Sequence, residues 1–180
     1  MSSRLLLLVL MGTLAAGPAL AGDLTDPLRA SFDRRQRINR VGMSVLGGWA
    51  VANIAIGSAL YFADVGDTAF HQMNAMWNTV NLGLAAAGLF QSIRGSVPDS
   101  LSAEIRAQHS IEKILLLNAG LDVGYIAAGF LLTQLQSGPM VDSYPGWGRG
   151  LMLQGAFLLV FDLAMYAVHS RSRPYEAALP

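Results

Sequence analysis

Hydrophobic residues in this chain come in long runs, and polar residues interrupt those runs at helical spacing rather than in alternation. The run Ile114 to Leu135, ILLLNAGLDVGYIAAGFLLTQL, is long enough at ~1.5 Å per residue to cross the hydrocarbon of a bilayer. Inside it Asn118, Asp122 and Tyr125 stand at i, i+4 and i+7 and share one helical face. Roughly opposite lie Gly120, Gly124 and Ala128, a row of small residues that predicts close approach of another helix. Three further runs read as spans, over 41–62, 71–93 and 151–169. The first carries Asn53 as its strongly polar residue. The second gathers His71, Asn74, Asn78 and Asn81 within an arc of roughly 80°, at ~100° per residue. The last repeats the i, i+4, i+7 spacing with Asp162, Tyr166 and His169. The pattern predicts an all-α integral membrane four-helix bundle over 41–169 with its polar stripes turned inward. Uncompensated amides and carboxyls are costly in lipid.

The flanks have a different character. Residues 1–21 read as a signal peptide: Arg4, an apolar core over Leu5–Ala16, the Gly17-Pro18 break, then Ala19-Leu20-Ala21 before Gly22. Residues 22–40 form a polar, basic leader with Arg29, Arg34, Arg35, Arg37 and Arg40, in which Leu28 and Phe32 recur at helical spacing. It can be either an interfacial helix with its apolar side on the bilayer or a solvated lead into the first span. Between the second and third spans, Gly95, Pro98, Asp99 and Ser100 signal a turn and a helix cap, with a helix resuming at Leu101. Residues 170–180 are a polar tail.

Composition agrees with a membrane assignment. Of 180 residues 53% are hydrophobic and only 13% charged, unlike an ordinary soluble domain. The formal net charge is zero, so no overall field favours nucleic acid. Cysteine is absent, which excludes disulfides, thiolate metal sites and cysteine nucleophiles. Nearly all Arg and Lys fall on the side shared by the mature termini and the central loop, with Arg149 opposite. The positive-inside rule then puts the termini in the cytoplasm, whereas a cleaved signal puts them outside; the three-part signal is the more specific pattern. The location expected is a bacterial cytoplasmic membrane, with lipid as the immediate partner and a homo-oligomer or another membrane protein as a further one.

Several stretches together resemble a family of small bacterial membrane proteins catalogued only as a domain of unknown function. They are Arg37-Ile38-Asn39-Arg40, Leu46-Gly47-Gly48-Trp49-Ala50, His71 through Asn81, Asn118-Ala119-Gly120-Leu121-Asp122, and Leu153-Gln154-Gly155 through Asp162. The resemblance implies a membrane bundle and brings no activity with it.

The candidate chemistry is a buried polar cluster of Asn53, Asn74, Asn78, Asn81, Asn118, Asp122, Tyr125, Asp162 and Tyr166. Counted from the side of the termini, Asp122 lies ~12 Å deep and Asp162 ~10 Å, so the carboxyls share a level. No Lys or Arg falls inside a span to neutralise them. They must then be protonated, share a proton or hold a cation, and they could equally act as interhelical glue. His109, Glu112 and His169 converge near one interface as a candidate metal set, although an exposed helix face explains the first two as well. The sequence has no P-loop, GxSxG, HExxH or dinucleotide fingerprint, and it calls for no cofactor. A non-enzymatic assembly or small-ligand-binding component is the first expectation. A membrane enzyme or metalloprotein using the near-side histidines and buried aspartates is the alternative.

Overall fold

The computed structural model describes residues 17–172, with side chains from residue 27 onward. It is all-helical there: α1 (Gly17–Phe62), α2 (Thr68–Arg94), α3 (Leu101–Gln134) and α4 (Tyr144–Ser170), the last preceded by one 3-10 turn, Val141–Ser143. The expected signal segment lies outside the described residues over 1–16.

Local chemistry accounts for the boundaries. Asp67 caps α2 by accepting from Phe70 N at 3.1 Å, and Ser100 caps α3 by accepting from Ala103 N at 3.3 Å. The reversal between α1 and α2 places Asp64 and Gly66 at positive φ, 53° and 67°. Pro145 sits in the first turn of α4, where its missing N–H costs no intrahelical bond. The last helix therefore starts seven residues before the apolar run at 151, through a stretch rich in glycine.

Those glycines set the packing. Gly146 and Gly150 press against Asp67, the cap of α2, and against Phe70 and Met73 within it, while Gly148 and Gly155 press against the α3 backbone at Gly129 and Asp122. Helix α4 thus wedges between α2 and α3 at one end of the bundle. Helices α1 and α2 form one antiparallel hairpin, closed where Gly57 meets His71 and Ala75 and where Gly88 meets Met43. Helices α3 and α4 form the other, and α2 runs parallel to α4. The small-residue row on α3 has a different fate. Gly120 and Gly124 are exposed with no neighbouring group around them, and α3 approaches α4 through Gly129 instead.

The leader is not a separate element. It is the first part of α1, and Ser31, Phe32 and Gln36 are buried against the end of α2 and the start of α3. From Pro27 to Phe62 α1 runs ~54 Å, and α3 runs ~51 Å, against ~30 Å of hydrocarbon. Both are longer than the hydrocarbon is thick, and they are clamped together at the end holding Arg35 and Glu104.

Three helices are long and apolar enough to cross a membrane: Pro27–Phe62, Leu101–Gln134 and Val141–Ser170, the last including the 3-10 turn. Helix α2 falls short of that apolarity because His71, Gln72, Asn74, Asn78 and Asn81 lie along it. Its opposite surface, with Met76, Val80, Phe90 and Ile93 exposed, is as apolar as its neighbours.

Candidate functional site

The bundle is built inside out. Among the described residues, thirteen polar or charged side chains are buried against seven hydrophobic ones, while Val41, Ile56, Leu117, Phe130, Val160 and many like them face outward. A soluble protein would reverse that balance. In lipid the apolar surface is the solvated one, and polar groups must find partners within the protein.

One set of partners is a chain of side-chain amides joining three helices. Trp49 Nε1 on α1 donates to Gln154 Oε1 on α4 at 3.0 Å, and Gln154 Nε2 donates to Asn74 Oδ1 on α2 at 2.7 Å. Asn78 Nδ2 donates back to the Asn74 carbonyl at 2.8 Å, and Asn81 Nδ2 to Asn78 Oδ1 at 3.2 Å. The Trp49 ring stacks on Phe157 with centroids 3.9 Å apart and planes within 5°. Gln154 is fully buried and completes a bridge whose other members the sequence pattern already places on α1 and α2.

The carboxyls belong to a second feature, a cleft of about 730 Å³ between α2 and α3. Its long dimension follows α3 from Ala107 to Tyr125, ~27 Å of helix. Trp77 of α2 meets Tyr125 of α3 edge-on at 4.8 Å and closes one end; Arg35 and Gln36 of α1 stand at the other. Along the side α2 and α3 do not pack on one another. Val80, Leu84, Ile114 and Leu121 line the gap yet are 62%, 59%, 53% and 48% exposed, so the mouth is apolar and faces where lipid would lie.

Asp122 and Asp162 sit side by side on the inner wall, close enough to interact directly. Asp122 is 2% exposed, and its Oδ2 has no hydrogen-bond partner. Asn81, Asn118 and Tyr125 line the same space. The expected cluster is therefore two adjoining groups that meet at Asn81. Asn53 belongs to neither and donates to the Trp49 carbonyl of its own helix at 2.9 Å. Tyr166 is half-buried and does not line the cleft.

At the Arg35 end the polar groups pair tightly. Arg35 Nε and Nη2 each donate to the fully buried Glu104 carboxylate at 2.8 Å, and Ser31 Oγ donates to it at 3.4 Å. Gln108 Nε2 donates to Glu112 Oε1 at 3.0 Å and to the His169 carbonyl at 2.9 Å. The His169 ring lies between Gln108 Nε2, 3.3 Å from Nδ1, and Asn39 Oδ1, 3.0 Å from Nε2. That pattern suits a neutral ring with its proton on Nε2. Three metal-ligating side chains are nowhere grouped around one point among the described residues, so the candidate set His109, Glu112 and His169 does not converge on an ion. The reason is local: on α3 it is Gln108 that reaches His169, and its amide stands between that residue and Glu112.

At the opposite end Arg149 donates to Asp67, and Trp147 Nε1 donates to Gln72 Oε1 at 2.9 Å, tying α4 to α2. Partial burial of Asp67 would raise its carboxyl pKa. The Arg149 guanidinium and the Phe70 N–H outweigh that effect and hold it below its ordinary value of 3.8.

Sequence reasoning passes over Gln154, Gln108 and the Arg35–Glu104 pair. The signal for Gln154 was a lone amide in the run LMLQGAFLLVF. Glu104 gave none, because a carboxylate in a first helical turn is ordinary. Comparison with known proteins adds one positive finding: a family of unknown function matches residues 45–163, which includes the cleft carboxyls and the amide chain. No curated protein and no solved structure matches the chain.

Proposed function

The chain belongs to DUF6992, a family of unknown function, and from its geometry we propose that it is a non-enzymatic membrane component that binds a small lipophilic molecule between α2 and α3. The observation that carries this reading is the cleft itself. Its volume falls in the range that holds drug-sized ligands, its rim is apolar, and its wall carries a few converging polar groups. A soluble ligand would meet a polar rim; an apolar mouth on a helical side suits a molecule arriving from the bilayer. Helix α2 crosses the membrane as a fourth span in this reading, with its polar stripe covered by α1 and α4. The nearby amide chain is then structural, holding α1, α2 and α4 together so that the gap beside α3 stays open.

The test is binding of triphenylphosphine oxide, a neutral lipophilic probe, to protein purified in dodecyl maltoside and followed by equilibrium dialysis. Saturable one-to-one binding is expected, weakened by Leu84→Trp, which places an indole in the mouth. Absence of saturable binding, or binding indifferent to Leu84→Trp, would overturn the reading.

A further inference from the structure

We infer that the molecule taken by the cleft is an organic monocation with an apolar body, a lipophilic amine or quaternary ammonium, held by Asp122 and Asp162. This rests on the proposal that the cleft binds a ligand, and adds the chemical class.

Charge supplies the first argument. The titratable groups on the cleft wall are Arg35, Asp122, Tyr125 and Asp162. The guanidinium of Arg35 is committed to Glu104 by two hydrogen bonds, and Glu104 stands eighteen residues before Asp122 on α3, ~27 Å along the helix. The two carboxyls thus share a buried wall with no cation of the protein near enough to balance them. A pair of this kind is completed by a shared proton or by a single positive charge, and a bound cation takes the place of the proton.

Hydrogen bonding supplies the second. Asp122 Oδ2 is buried without a donor, although the polar groups of the adjoining amide chain are matched to one another. A carboxylate oxygen buried beside a second carboxyl, with no donor from an amide, hydroxyl or basic group of the chain, is completed by a proton held between the two or by a positive charge set against the pair.

Shape and wall chemistry decide which cation. A hard ion such as calcium or magnesium needs about six or more oxygen ligands drawn in around it, and zinc about four, whereas here two carboxyls border a space of about 730 Å³. Trp77, Tyr125 and Phe161 line the same space and offer aromatic faces, which attract organic cations through the ring quadrupole. Apolar residues at the mouth would solvate the body of such a molecule while its charged centre reached the carboxyls.

A pair of probes with the same three phenyl groups and one charge between them tests the inference: methyltriphenylphosphonium and triphenylphosphine oxide, each by equilibrium dialysis. The phosphonium should bind about tenfold or more tighter than the oxide. Its advantage over the oxide should vanish in Asp122→Asn and in Asp162→Asn. Acidifying the wild-type protein should release the phosphonium and spare the oxide, a readout that needs no variant to fold. Excess sodium chloride should leave the phosphonium bound. Equal binding of the two probes would overturn the cation assignment and leave the binding cleft standing. Displacement by sodium at stoichiometric occupancy would make the pair an inorganic-cation site and overturn it too. If neither probe binds, the cleft reading and the cation assignment fall together.

Discussion

Trp49 and Gln154 are joined by a 3.0 Å hydrogen bond from an indole N–H to an amide oxygen, and the same amide also reaches Asn74 on a third helix. Because Gln154 Nε2 is also the donor to Asn74, its loss leaves two buried groups without partners. Gln154→Leu is expected to destabilise the bundle by about 1–3 kcal/mol. Trp49→Phe, which keeps the stacking on Phe157 in kind, should cost less. Thermal unfolding in detergent of both variants and their combination should show that the two effects do not add; additivity would mean the bridge is not coupled.

Glycine substitutions should separate packed from open helix faces. Gly129→Leu and Gly148→Leu drive side chains into the facing backbone of α4 and α3, so the hairpin should come apart or melt at much lower temperature. Gly124→Leu meets open space and should be tolerated in the single chain. Reversal of that order in melting experiments would place the α3–α4 contact on the wrong side of α3.

Breaking the clamp near the N-terminal ends of α1 and α3 should be costly. Arg35→Met leaves the fully buried Glu104 carboxylate without its partner, with an expected loss of about 3–5 kcal/mol. Adding Glu104→Met should restore most of it, since the two apolar chains can then pack. Unfolding midpoints for the single and double variants check both expectations.

Acid should loosen the opposite end first. The folded-state pKa of Asp67 is depressed, so its contribution is complete above the ordinary value of 3.8 and is lost as pH falls through the lower, folded value. Melting temperature should decline across that acid range in wild type and decline less in Asp67→Asn, which starts lower. A parallel decline in the two proteins would mean Asp67 is not the responsible group.

Reporter fusions after Ala63, Ser96 and Ser143 test whether α2 crosses. Positions 63 and 143 should share one side of the membrane and position 96 the other. Finding 63 and 96 on one side would leave α2 lying outside the bilayer core.

The helices were legible in the sequence because a membrane helix announces itself through length and apolarity, and the caps at Asp67 and Ser100 follow the usual side-chain rules. The spacing of Asp122 and Asp162 also indicated a shared depth, and the two do line one wall. What spacing along a single helix does not specify is which neighbour each face meets. Asn53 and Tyr166 fell away from the site for that reason, and Gly120 and Gly124 were assigned a packing role that Gly129 fills. The Arg35–Glu104 pair depends on two helices far apart in sequence meeting near one end of the bundle, a three-dimensional juxtaposition that no local motif encodes.

The bridge from Gln154 to Asn74 has a consequence for biogenesis. In the proposed four-span arrangement a growing chain delivers α1 and α2 to the bilayer before α4 exists, so the amide of Asn74 would wait, its carbonyl oxygen unanswered, until the second hairpin is synthesised. The first hairpin is thus an incomplete insertion unit, carrying its own demand for the second. The order of translation becomes an order of assembly, with α4 as the piece that ends the waiting.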